Sequence, residues 1–247
     1  MLGIIGGTGL TQLANLEVSR RQVIRTPYGE PSGALTFGKL NGREIVFLAR
    51  HGYGHTIPPH AVNYRANIWA LHSEGVSRIV SVASVGGIRP DLKPGTLSVP
   101  AQILDYTSGR KHTFFDDPDQ PVTHVDFTRP YDESLRTHLL AAAARAGQVV
   151  VDGGTYATTQ GPRLETAAEI DRFERDGAAM VGMTGMPEAA LAREMGLPYA
   201  ALAVVVNFAA GRGDSQDEIH LDRINAVLKA AMSRVRSVLE KLVERDD

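Results

Sequence analysis

Arg50 and His51 close the apolar run "EIVFLAR" (44–50), and His55 and His60 follow within ten residues. A guanidinium fork pairs with two oxygens of a phosphate or carboxylate, and an imidazole beside it adds one more hydrogen-bonding nitrogen. The same histidines are potential metal ligands. No glutamate stands at HExxH spacing, however, and Pro58-Pro59 prevents a helix from presenting them together, so no metal is expected. Upstream, "GIIGGTG" (3–9) reads as a strand ending in glycines, whose backbone amides can approach an anion while Thr8 adds a hydroxyl. The plain alternative is a glycine turn. Gln12 stands where a dinucleotide fingerprint needs its third glycine, and no Gly-Lys-Ser/Thr follows, so neither a Rossmann nor a Walker loop is written here.

Four further segments place polar residues where apolar ones end. In "SVASVGGIRPDLKPG" (81–95), Ala83 and Ser84 precede Gly86-Gly87, which suits either a ligand close to the backbone or a tight turn. In "ATTQGPRLETAAEI" (157–170), Glu165 falls at the start of a helical pattern, where a carboxylate either complements the helix dipole or faces a ligand N–H. In "GMTGMPEAALARE" (182–194), Met183 and Thr184 precede a helix N-terminus with free N–H groups for an anion. They serve equally as a core residue and a cap. Finally, "YAALAVVVNFAAG" (199–211) runs through apolar residues and stops on the amide of Asn207. A buried amide without a partner costs about 1–3 kcal/mol, and a ligand is one such partner.

The elements that must carry these residues alternate. Strand-like runs occur at 2–6, 44–50, 78–84, 96–101, 148–159 and 199–207, with helical patterns at 62–75, 131–147, 165–177 and 187–196 between several of them. A last amphipathic helix carries Ile219, Ile224, Val227, Leu228, Val235, Val238 and Leu242 on one face, and Ser215 and Glu218 stand before it at capping-box spacing. This order predicts one α/β domain over residues 1–247, with a central mixed sheet flanked by helices. Residues 105–130 form the least regular stretch and are expected to be functional or an interface. With a net charge of −2 and scattered basic residues, no nucleic-acid-binding stripe exists. No cysteine is present, which excludes disulfides and thiolate chemistry. Neither a leader nor a membrane span is expected from the first residues, and the protein is read as cytoplasmic.

Taken in order, "LGIIGGTG", "RHG", "VNYRANIWAL", "QGPRLET" and "GMTGMPEAALARE" resemble the trimeric purine nucleoside phosphorylase and methylthioadenosine phosphorylase family over nearly the whole chain. The resemblance implies a homotrimer that uses phosphate as co-substrate and needs no cofactor. By it, Thr8, Arg50, His51 and Thr184 would hold phosphate with help from Ala83-Ser84, a pair that differs from the Thr-Ala or Asn-Ala of relatives. Met183 would lie under the ribose, and His124 would reach the neighbouring subunit's pocket. Family members that cleave 6-aminopurines carry aspartate at the position of Asn207 and often a second at that of Ala209. Those that cleave 6-oxopurines carry asparagine, with glutamate at the position of Glu165. An amide can serve N7 and O6, and a carboxylate can accept from the N1–H that adenine lacks. Fourteen residues beyond Asn207, where ordinary purine nucleoside phosphorylases place a histidine for the 5′-hydroxyl, stands Leu221, with His220 adjacent. The implied substrate is 5′-methylthioinosine. Inosine or guanosine, methylthioadenosine, and a non-catalytic nucleoside sensor are the alternatives.

Overall fold

Alternating apolar residues on the longest strands divide the core into two faces, because successive side chains point to opposite sides of a sheet. Leu2, Ile4, Val80, Val82, Leu202 and Val204 pack in one cluster, while Ile5, Ile79 and Ala201 belong to the other. In the computed structural model, which describes residues 1–119 and 121–244, these strands form the middle of an eleven-stranded mixed sheet. Strand β1 is Leu2–Gly6, β2 Glu17–Gln22, β3 Leu35–Leu40, β4 Arg43–Ala49, β5 Arg78–Gly87 and β6 Leu97–Val99. The remaining strands are β7 Gln102–Asp105, β8 Val150–Asp152, β9 Thr155–Thr158, β10 Met180–Gly182 and β11 Tyr199–Phe208. Helix α1 is Tyr64–Ser73, α2 Glu133–Arg145, α3 Ala167–Arg175, α4 Gly185–Glu194 and α5 Leu221–Val243. Helices α2 and α5 pack together on one face and α1 and α4 on the other.

The predicted α/β architecture with a mixed sheet is what folds. Three details differ. Gly86 and Gly87 are not a turn but the end of β5, paired with β10 on one side and β11 on the other. The capping box predicted from Ser215 and Glu218 does not form. Ser215 is buried in the turn that closes on Gly211, and His220 caps α5 without a side-chain bond. Strands β2, β3, β7 and β10 lie outside the strand-like runs read from the sequence; in β2, "EVSRRQ" is exposed along its whole length and shows no apolar alternation.

The central strand positions the site. One edge of β5 is covered continuously by β11. Along the other, β1 pairs with Arg78 to Ser81 and β10 with Gly86 and Gly87, leaving Val82 to Val85 without a strand neighbour. A break of this kind between two strands, at their carboxyl ends, is where α/β sheets open to ligands.

Candidate active site

A cavity of about 610 Å³ opens at this break, and Ala83, Ser84 and Gly86 line its floor. Thr184 lines the cavity too, and Thr8, Arg50 and His51 lie at the end where Arg50 meets Val82. Here the exposed edge of β5 is satisfied by a side chain: Arg50 Nη1 donates to the Val82 carbonyl at 3.1 Å, and Nη2 to Ser81 Oγ at 2.6 Å. Only glycine fits above it, since a Cβ on Gly7 would stand 2.5 Å from Val82 O and 2.8 Å from Arg50 Nη1.

Arg50 is fully buried and its Nε and Nη2 grip the Glu188 carboxylate at 2.7 and 2.9 Å. Burial opposes its charge, yet Glu188 outweighs burial and raises the guanidinium above its ordinary range. The two-oxygen fork expected for phosphate is therefore committed to Glu188, and Arg50 has one Nη1 hydrogen left for a ligand. Tyr199 Oη donates to the same carboxylate at 2.8 Å, completing a buried network.

His51 is 6% exposed, and its Nδ1 lies 2.8 Å from the Ile57 carbonyl. Burial first, and then the Arg50 charge, hold its pKa at about 4, so the ring is neutral at pH 7. Thr184 occupies the N-cap position of α4 yet makes no capping bond with its side chain, and its backbone N–H donates to Tyr156 Oη at 3.4 Å. The reading of Thr184 as a simple cap thus fails, and Thr184 is a lining residue of the cavity.

At the other end, Asn207 and Glu165 line the wall together with Ala209 and Val181. The register of β11 slips between Val205 and Asn207, so Val206 is a bulge, and a bulge re-aims the side chains that follow it. Asn207 Nδ2 donates to the Phe208 carbonyl at 2.6 Å, leaving its second N–H and Oδ1 for a ligand. Glu165 does not start α3. Thr166 is the cap and forms a capping box with Glu169, so the dipole does not account for Glu165. Its carboxylate instead accepts from Thr159 Oγ1 at 2.6 Å, and burial raises its pKa.

Met183 also lines the cavity, and Leu221 and Ile224 of α5 form an apolar part of its wall. His220 is not among the lining residues. Leu221 is 63% exposed, so this wall is open to solvent in the isolated chain. His124 is exposed on the irregular segment, outside the cavity of its own chain. Among the described residues, no three His, Asp or Glu side chains converge as metal ligands.

Two positioning residues escaped the sequence reading. Glu188 carries the signature of any acid in a first helical turn, which hides its grip on Arg50. Arg110, a lone arginine in the irregular segment, donates to the carbonyls of Thr159, Gln160, Met183 and Met186 at 2.6–3.2 Å. It thereby ties the chain before Glu165 to the chain at Met183. No pattern in the sequence separates it from a surface charge.

A family model described as "Phosphorylase superfamily" matches residues 1–244. A probable S-methyl-5′-thioinosine phosphorylase of Pseudomonas syringae pv. tomato is 55% identical over 240 residues, covering 97% of each chain. A 6-oxopurine nucleoside phosphorylase of Pyrococcus furiosus is 46% identical over 215 residues, 85% of this chain and 80% of that one. Among solved structures, methylthioadenosine phosphorylase from Schistosoma mansoni in complex with adenine superposes with a TM-score of 0.92 at 33% identity, covering 98% of this chain and 90% of that one. The chain belongs to the phosphorylase superfamily, in the group that holds the purine nucleoside and methylthioadenosine phosphorylases.

Proposed function

We propose that the protein phosphorolyses 5′-methylthioinosine to hypoxanthine and 5-methylthioribose 1-phosphate in purine salvage. The observation that carries this reading is that Asn207 and Glu165 line the same cavity as the apolar Leu221 and Ile224. Amide and carboxylate complement the O6, N7 and N1–H of a 6-oxopurine. The apolar wall suits a methylthio group, and its burial contributes roughly 0.8 kcal/mol per methyl.

In the reaction, the bond from C1′ to the purine N9 lengthens first, and its electron pair passes to the base. Asn207 stabilises the charge developing at N7 and O6, while Glu165 holds the base in register. Preorganised donors of this kind are worth about 3 kcal/mol each. A phosphate oxygen, held by Thr8, His51, Thr184 and the remaining Arg50 hydrogen, then bonds to C1′. One proton passes from phosphate to the purine per turnover, directly or through water, and balances the exchange. No cofactor or metal takes part.

The protein acts in the cytoplasm as a homotrimer, with His124 of each subunit completing a neighbour's site. A second reading, cleavage of inosine and guanosine, draws support from the solvent-open Leu221 wall and from the Pyrococcus relative. The deciding experiment compares kcat/KM for methylthioinosine, inosine and methylthioadenosine under saturating phosphate. Preference for methylthioinosine is expected; equal use of inosine would overturn the 5′ assignment, and preference for methylthioadenosine the base assignment.

A further inference from the structure

We propose that phosphate binding carries one proton into the complex, held between His51 Nε2 and a phosphate oxygen. The inference rests on the reading that phosphate occupies this end of the cavity. Its first support is geometric. Nδ1 of His51 lies 2.8 Å from a backbone carbonyl, an atom that only accepts, so Nδ1 keeps its hydrogen whatever the state of the ring. In the neutral ring Nε2 is then a bare acceptor, with no protein partner among the described residues.

The second support is the surroundings. The ring is buried beside the Arg50 guanidinium, and the His55 ring centroid is 4.8 Å away. Both neighbours and burial oppose a positive charge. Glu188 favours one, but its oxygens already accept from Arg50 and Tyr199. The free protein therefore presents a lone pair to the place where an anion must sit. A deprotonated oxygen facing that lone pair is repelled, whereas a shared hydrogen joins them in a charge-assisted bond. Monoanionic phosphate brings this hydrogen with it. A dianion obtains it only from solvent.

Sulfate separates the two cases, because it is dianionic throughout the working range and brings no proton. In the intact enzyme, sulfate inhibition against phosphate is expected to weaken about tenfold per pH unit from roughly pH 5.5 to 9. In contrast, kcat/KM for phosphate should stay level while the monoanion prevails and fall about tenfold per pH unit above neutrality. The parallel profile of kcat/KM for nucleoside at saturating phosphate corrects for titration of the base and Glu165. His51→Gln, whose amide donates at every pH, should flatten the sulfate profile, which a merely structural role for His51 would not do. Sulfate inhibition that is independent of pH, or phosphate kcat/KM that stays level well above neutrality, would overturn the inference. Absence of any phosphate-dependent release of free base would instead overturn the functional reading beneath it.

Discussion

Asn207→Asp changes one atom and reverses the chemistry offered to the base. In the structure Asn207 Nδ2 donates to the Phe208 carbonyl at 2.6 Å. An ionised carboxylate there would set an acceptor against that acceptor, which favours its protonated form. The substitution thus exchanges a permanent pair of N–H groups for one titratable hydrogen. If that hydrogen remains with the Phe208 carbonyl, the departing 6-oxopurine loses its donor, a loss of about 3 kcal/mol or roughly a hundredfold to a thousandfold in rate. Adenine nucleosides lose less, because the carboxyl oxygen left facing the base accepts from their 6-amino group but meets only lone pairs at O6. The ratio of kcat/KM for methylthioinosine to that for methylthioadenosine should therefore fall by about a hundredfold, and the residual methylthioinosine activity should rise as pH is lowered. Steady-state assays following each free base, repeated at several pH values, give both quantities. A ratio unchanged by the substitution would refute the assignment of Asn207 to the base.

Glu188→Gln breaks the buried pair with Arg50 and should lower unfolding stability by about 3–5 kcal/mol in urea titration, since it leaves a buried cation uncompensated. The depressed pKa of His51, about 4 against 6.5, means the unfolded chain binds the extra proton. Its stabilising contribution is complete above pH 6.5 and is lost as pH falls toward 4, by up to about 3 kcal/mol; thermal melts should show the wild type losing about that much relative to His51→Gln across the window. Glu165→Gln removes a carboxylate whose pKa burial raises, so it should stabilise the fold at neutral pH, where ionisation is disfavoured, while lowering kcat/KM for methylthioinosine; differential melts and assays measure the two effects. Leu221→Ala should leave stability within about 0.5 kcal/mol, as expected for an exposed position, yet selectively weaken turnover of methylthioinosine relative to inosine.

The sequence carried more of the site than of the sheet's outer strands. Strand β11 was legible because eight consecutive residues are buried on both faces, and Asn207 was conspicuous as the polar residue that ends them. Strand β2 was not, since an exposed edge strand has no apolar period to read. Thr184 and Glu165 were each ambiguous between helix-end chemistry and ligand contact. The hydrogen bonds already made in the fold separate the two roles: Thr166 and Glu169 cap α3 without Glu165, and the Thr184 side chain makes no capping bond. Arg50 was recognised as a site residue but not as half of an ion pair, because its partner lies 138 residues away. Long-range pairing of that kind leaves no local pattern.

The slip of register at Val206 places Asn207 and Ala209 just past the last continuously buried stretch of β11. Residues at that end can be exchanged while the eight buried positions behind them keep their packing. At the opposite end, Arg50 and Glu188 are themselves part of the interior, so a change there is felt by the whole molecule. A lineage built on this scaffold is therefore free to explore new purines by single substitutions, while its use of phosphate stays locked to its ability to fold.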